Sequence, residues 1–310
     1  MEAQKSVKYC LACRNELSYL KLNDYVQCHD CHSFIYISDQ SADEDNKRYF
    51  NEVFRTLDER KTSYWKLKIF EYFAQIDQRR RKKQYLGFNM HRQQIMDQLY
   101  RHAKVLEVGF GSGEHLNSLL QRGVDAYGLD LSVTAVENYQ KKYPKYANKV
   151  HYGSRFGEQV DVIYCSALLE HLDKPEEFIQ DSSSCLNKNG LLIIDGLPVL
   201  NDSQSDLTLD EDINFWKPCH RAIYSSDGLN AMFSRYGFVS DICAAQDDYY
   251  YRILSLHKRY GYHSIEELRS FYMKHDKLPS ILAYYFICWK ALSIKSLARY
   301  KCIMYRKNIA

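Results

Sequence analysis

Two pairs of cysteines stand near the start of the chain: Cys10-Leu-Ala-Cys13 and, fourteen residues on, Cys28-His-Asp-Cys31. Two CxxC pairs at this separation are the spacing by which two hairpin knuckles offer four thiolates to one tetrahedral zinc ion. A segment of about 30 residues is too small to be held by a hydrophobic core alone, which gives such an ion a structural task. A closed four-sulfur site keeps no open position, so no catalysis is assigned to it. His29 and His32 flank the second pair and are the minor alternative to a thiolate ligand.

The sharpest chemistry lies in Val105-Leu-Glu-Val-Gly-Phe-Gly-Ser-Gly-Glu-His115, where an apolar run ends in Gly109, Gly111 and Gly113 and helical sequence follows. Glycine permits a tight turn and lets backbone amides approach a ligand at the crevice of a doubly wound sheet. A dinucleotide fingerprint would want its third glycine one residue later, where Glu114 stands, and an acid is unfavourable beside pyrophosphate. Glu107, two residues before the first glycine, suits instead a cationic ligand bearing an amine. Asp130 lies 23 positions after Glu107, at the end of a second apolar run, where a carboxylate can bind both hydroxyls of a ribose.

Glycine turn, early acid and late acid together resemble the class I S-adenosylmethionine-dependent methyltransferases. The following residues keep that family's order. Asp161-Val-Ile-Tyr-Cys165 is similar to its fourth strand, Leu168-Leu-Glu-His171 to the segment after it, and Leu186 to Asp195 to its turn and fifth strand. The resemblance covers about residues 100 to 256. It implies an α/β fold with a Rossmann-like, seven-stranded sheet and S-adenosylmethionine held by the Gly109 to Gly113 backbone. Glu107 would then lie near the methionine moiety and Asp130 on the ribose. Many members carry Gly-Asp after the third strand to take the adenine amine; this chain has Gly153-Ser154-Arg155, which leaves the contact to Ser154 or to a backbone carbonyl. A binding fold without activity and a nicotinamide enzyme are the lesser readings of the same turn.

Methyl transfer needs a positioned nucleophile and often a base. His171 sits just after the fourth strand, at the carboxyl edge where such a sheet has its active site. His220 lies in Phe215-Trp-Lys-Pro-Cys-His-Arg-Ala-Ile-Tyr224, an aromatic and proline frame similar to a stretch that closes over the acceptor in many relatives. Either could be the base, or each could serve packing alone; Arg221 and Tyr224 are weaker companions and Cys219 a bystander. The acidic stretch Asn201 to Asn214 reads as a solvated loop or a lid, and its acids leave a metal-assisted reaction open.

A four-cysteine knuckle, a helical linker and this core together resemble a broad bacterial group whose heads read C-P-x-C-G … C-x-x-C-G. Where that group has glycine this chain has Arg14 and His32, so the two turns are expected to use other backbone angles. The group is associated with sugar, polysaccharide and secondary-metabolite tailoring, which makes sugar O- or C-methylation the leading expectation. RNA is the main competitor, through the runs Arg79-Arg-Arg-Lys-Lys83 and Lys290 to Lys307. A non-catalytic adaptor is the third, with a basic tail against a partner or an anionic membrane surface.

These groups need elements to hold them. The 310 residues are 45% apolar and 26% charged, which excludes a disordered chain and permits one large domain with smaller modules. The boundaries expected are a zinc-ribbon-like module at 1–40, a helical linker at 41–100, the Rossmann-like domain at 101–258 and a basic helical extension at 259–310. Short apolar runs at Lys104 to Val108, Val124 to Leu129, Val160 to Cys165 and Leu191 to Asp195, separated by helix-length segments, argue for parallel βαβ units. Phe238 to Ala244 and Tyr249 to Leu256 are expected to pair antiparallel at the sheet edge. The net charge is +3, but residues Lys277 to Ala310 carry seven basic side chains and no acid, so the rest is net acidic. No apolar run reaches the roughly 18 residues that span a bilayer, and no secretory signal opens the chain, so a reducing, cytoplasmic setting is expected, with peripheral membrane contact through the tail left open. The oligomeric state is not legible.

Overall fold

The computed structural model describes residues 9–17, 21–22, 25–37, 72–73, 75–76, 98–201, 204, 206–209, 211–212, 215, 220–245, 252–253, 255–256, 278–295 and 297–308. The elements are β1 (Lys21–Leu22), β2 (Tyr25–Gln27), β3 (Phe34–Tyr36), β4 (Lys104–Val108), α1 (Glu114–Gln121), β5 (Asp125–Asp130), α2 (Val133–Lys142), β6 (Val150–Tyr152), β7 (Val160–Ser166), α3 (Pro175–Cys185), β8 (Leu186–Leu200), β9 (Ala222–Ile223), α4 (Ser226–Ser234), β10 (Phe238–Ala245), α5 (Leu278–Ala291) and β11 (Ala298–Lys307).

A seven-stranded sheet runs in the order β10-β11-β8-β7-β4-β5-β6. Strands β8, β7, β4, β5 and β6 are parallel neighbours, while β11 is antiparallel to both β8 and β10. This is the Rossmann-like α/β fold expected. Its central strands are near-continuous apolar runs because helices cover both faces. In α1 the buried Leu116, Leu119 and Leu120 recur at helical spacing, and Ser132 caps α2 by accepting from the Ala135 amide at 3.2 Å.

The C-terminal part departs from expectation. Its helix, α5, is present, but the ten residues Ala298–Lys307 form β11, inserted into the sheet between β8 and β10. The partner of Phe238–Ala245 is therefore β11 and not Tyr249 to Leu256, of which the described residues 252, 253, 255 and 256 are helical. Its basic residues find partners at the sheet margin: Arg306 pairs with Asp241 at 2.7 Å, and Lys307 donates to the Leu186 carbonyl at 2.7 Å. The apolar residues Cys302, Ile303, Met304 and Tyr305 just before them are buried.

Where it is described, the acidic stretch is tied to the segment before β11 instead of being wholly solvated. Asp212 is fully buried and its Oδ2 accepts the Leu297 amide at 2.8 Å, while Asp206 accepts the Lys295 amide at 2.9 Å. The expected helical linker lies mostly outside the described residues, and the Arg79 to Lys83 run lies wholly outside them. Among the described residues no helix is long and apolar enough to cross a membrane.

The head does not stand apart. Strand β3 pairs with β9, so a four-stranded antiparallel sheet β1-β2-β3-β9 takes its last strand from the region after the fifth parallel strand. Cys10, Ala12, Leu17, Val26 and Ile35 share one buried core with Ile163, Leu192, Leu229 and Met232. The larger of these side chains, Leu17, Val26 and Ile35, are each worth roughly 1.5–3 kcal/mol when buried, so the head is docked by its apolar face.

Candidate active site

The glycine turn joins β4 to α1 with Gly109, Gly111 and Gly113 at φ of +70°, +54° and +70°. Gly113 caps α1, and a Cβ there would stand 2.1 Å from the Tyr139 ring, so only glycine fits. Around Gly111 there is open space, and its amide donates to Asp130 Oδ2 at 3.0 Å. Asp130 Oδ1 accepts the Ser132 amide at 2.8 Å, which fixes the carboxylate at the end of β5. Glu107 is buried in β4, and its Oε2 lies 3.0 Å from His115 Nδ1. Burial raises the Glu107 pKa above its ordinary value, with His115 opposing the shift. Sequence reading missed His115. The signal was available, since the first turn of a helix that follows a glycine turn folds back over the strand end.

His115 also lies against the Tyr164 ring, with centroids 4.3 Å apart, and the Tyr164 hydroxyl donates to buried Asp195 at 2.7 Å. A chain of polar groups thus runs from the glycine turn under the carboxyl ends of β4, β7 and β8. Ser154 is exposed on the bend after β6, next to Gly153, whose amide donates to the Asp130 carbonyl at 3.0 Å. An open turn flanked by Glu107 and Asp130 fits a ligand with a cationic amine and a ribose.

The histidines come together as a pair. His171 ends a 3-10 turn, Leu169–His171, and its ring centroid is 5.0 Å from that of His220. The Cβ position of Gly109 lies 3.2 Å from the Leu168 side chain, so this turn leans over the glycine turn. Glu170 is buried beneath the pair, with Oε1 3.8 Å from His171 Nε2 and Oε2 without a hydrogen-bond partner. Desolvation pushes the Glu170 pKa up to about 8, so the group is largely neutral at neutral pH. Donor atoms of Glu170, His171 and His220 lie within 4.8 Å of one another, a two-histidine, one-carboxylate set of the kind that takes a divalent cation. The Arg221 amide donates to the Glu170 carbonyl at 2.6 Å, its guanidinium pairs with Asp173 at 2.8 Å, and Tyr224 is fully buried. Cys219 lies outside the described residues.

In the head, the sulfurs of Cys10, Cys13, Cys28 and Cys31 converge within 4.8 Å. The two knuckles repeat one geometry. Cys10 and Cys28 carbonyls accept the Arg14 and His32 amides at 3.0 and 2.9 Å, and their own amides donate to Asn15 and Ser33 carbonyls at 2.9 Å. The expectation of different turn angles at Arg14 and His32 is overturned: both sit at positive φ, +69° and +60°, as glycine would. A non-glycine residue pays about 1–2 kcal/mol there, and the convergence of the four sulfurs leaves the turn no alternative.

A methyltransferase-domain family model matches residues 66–241, more than half of the chain. The mitochondrial ubiquinone biosynthesis O-methyltransferase of Saccharomyces cerevisiae is 33% identical over 100 residues, which are 29% of this chain and 32% of that protein. The tRNA U34 carboxymethyltransferase of Alteromonas mediterranea is 28% identical over 151 residues, 43% of this chain and 44% of that protein. The chain thus spans less than half the length of the curated relatives it matches. Among solved structures, magnesium protoporphyrin IX methyltransferase from Synechocystis aligns with a TM-score of 0.48 and 13% identity, over 87% of this chain and 98% of that one. An O-methyltransferase of a polyketide multienzyme from Brevibacillus brevis aligns with a TM-score of 0.46 and 16% identity, over 67% and 68%. The chain belongs to the methyltransferase-domain family.

Proposed function

We propose that the protein methylates a small-molecule or glycan acceptor, with a sugar hydroxyl as the leading class, and that His220 and His171 act on the acceptor side. The observation that carries this reading is the histidine pair over buried Glu170, beside the glycine turn. When bound, S-adenosylmethionine supplies an electrophilic methyl group on a sulfonium. The Gly109 to Gly113 backbone, Glu107 and Asp130 would hold it, Glu107 serving the amine and Asp130 the ribose, with Ser154 or a neighbouring carbonyl for the adenine. On the acceptor side, His220 would hold the acceptor hydroxyl and take up its proton when the oxygen receives the methyl group that bound S-adenosylmethionine would supply. His171 backs that imidazole. A positioned base of this kind contributes roughly 10²–10⁴-fold to rate.

The relative from Saccharomyces cerevisiae is an O-methyltransferase, which favours an oxygen acceptor. A tRNA-modifying relative keeps RNA as the competitor. Against RNA, Lys301, Arg306 and Lys307 of the basic tail are engaged within the sheet and its neighbours and do not form a free stripe. The four-cysteine head holds one structural zinc ion. A second mechanistic reading, in which a divalent cation sits on Glu170, His171 and His220, is favoured by their convergence.

Calorimetry with S-adenosylhomocysteine tests the cofactor assignment: binding by the wild type and at least tenfold weaker binding by Asp130→Ala are expected, and undiminished binding refutes it. Mass spectrometry of glycans and RNA from cells with and without the gene identifies the acceptor by one lost methyl increment. Turnover unchanged when Mg²⁺ or Mn²⁺ is added to metal-depleted, zinc-reconstituted enzyme supports the base; restoration by either cation supports chelation.

A further inference from the structure

We propose that the four-cysteine head forms the acceptor-side wall of the active site, and that Tyr25 in β2 is a positioning residue for His220. The inference rests on the acceptor-side role given to His220 above. Tyr25 is buried, and its hydroxyl donates to the His220 carbonyl at 3.0 Å, a bond between residues 195 positions apart. Its ring packs edge-on to Phe215 at 5.1 Å and to Tyr36 at 5.3 Å. One side chain of the head therefore touches both ends of the 215–220 segment.

The backbone beyond His220 is gripped from two sides. The Arg221 carbonyl accepts the Tyr36 amide of β3 at 2.9 Å, while the Arg221 amide donates to the Glu170 carbonyl at 2.6 Å. Ala222 and Ile223 continue as β9, in register with Ile35 and Phe34. Tyr224 then returns to the large sheet, its carbonyl accepting the Leu200 amide at 2.8 Å. Ser225 seals the contact: its amide donates to Ser33 Oγ at 3.0 Å and its hydroxyl to the Cys31 carbonyl. Gly228, at the start of α4, leaves the space into which Ser33 and Ala12 fit. Residues 220–225, with β9 at their centre, are thus wedged between the head and the methyltransferase sheet. The head fixes where the His220 ring meets His171, and it does so without contributing a group to the chemistry.

Full-length wild type, Tyr25→Phe, His220→Ala and the double variant form the test. The substrate probe is S-adenosylmethionine carrying a labelled methyl group, with the glycan and small-molecule fraction of cells lacking the gene as acceptor. Tyr25→Phe keeps the ring and removes only the hydroxyl. The expected result is a kcat lower by about tenfold, KM for S-adenosylmethionine within about twofold of wild type, and retained zinc. His220→Ala should lose more, and adding Tyr25→Phe to it should cost nothing further, because the two act through one group. An unchanged kcat in Tyr25→Phe beside a collapsed one in His220→Ala overturns the positioning role and leaves the base intact. Equal losses from Tyr25→Phe in both backgrounds also overturn it, by making Tyr25 a general stabiliser. An unchanged kcat in His220→Ala removes the reading of His220 itself, and the inference with it. Hydrogen exchange on the wild type gives an independent check: the Tyr36 and Arg221 amides should be protected as strongly as those of β4, and rapid exchange at both overturns the clamp.

Discussion

At Gly113 a side chain has no room, while at Gly111 it has room but the wrong backbone, and the two should separate under substitution. Gly113→Ala would drive a Cβ into the buried Tyr139 ring at φ +70°, and should lower stability by about 2–4 kcal/mol in denaturant titration. Gly111→Ala meets nothing within 4 Å, so only strain of about 1–2 kcal/mol is expected. Its larger effect should appear in calorimetry, as weaker binding of S-adenosylhomocysteine. Glu107 carries a pH prediction. Burial holds its pKa above the ordinary 4.5, with His115 opposing and the Asp130 charge assisting. An amine-bearing ligand favours the ionised form, so affinity for S-adenosylhomocysteine should fall as pH drops through that raised value. Glu107→Gln should bind weakly with a flatter profile; an equally steep one would remove the assignment. The acid, the glycines and Asp130 were legible because each is fixed by sequence spacing around one turn. The Glu170, His171 and His220 cluster was not, because it depends on two loops that meet only in the fold.

Among the elements, the head and α3 meet through charges whose pH dependence can be read. Arg14 and Arg235 both pair with Glu176, which also brings Arg235 to the Ala12 carbonyl at 2.7 Å. The Arg14 guanidinium, then Arg235, hold the Glu176 carboxyl below its ordinary 4.5. A depressed carboxylate stabilises above its unfolded pKa and loses that contribution as pH falls through the folded one. Arg14 is 55% exposed, so solvent limits the pair to about 1 kcal/mol. Glu176→Gln should therefore lower stability by about that amount at pH 7, and the gap to wild type should close below the ordinary carboxylate range in paired denaturation curves. The cysteine spacing announced the head, yet nothing in it told where the head docks: Arg14 and Glu176 are 162 positions apart. The positive φ at Arg14 and His32 was misjudged for a related reason. Residue preference favours glycine there, but closing the knuckle around four sulfurs decides the angle.

For the whole molecule, the consequence of β11 is that β10 joins the sheet only when residues 298–307 are in place. The basic composition of that segment reads as a helical surface extension, because its charges obscure the apolar residues between them. Their partners, Asp241, the Leu186 carbonyl and Ser226, come from three distant places. β11 supplies buried Tyr300, Cys302, Ile303, Met304 and Tyr305, and Tyr305 stacks on Phe233 with centroids 3.9 Å apart. At roughly 1.5–3 kcal/mol for each large side chain, their removal approaches the 5–15 kcal/mol that holds a typical domain together. A chain ending at Leu297 should thus fail to fold: it would leave one edge of β8 and the whole of β10 unpaired. The expected outcome is insoluble protein, or soluble protein without a cooperative transition and without binding of S-adenosylhomocysteine. The shared core between head and sheet extends the argument to metal removal. Stripping the zinc proposed for the head from the intact chain should lower the midpoint of one global transition, since Cys10, Val26 and Ile35 pack with Ile163, Leu192 and Met232. Calorimetry that instead resolved a separate, zinc-dependent head transition, with the sheet melting as before, would show two independent units and contradict the shared core.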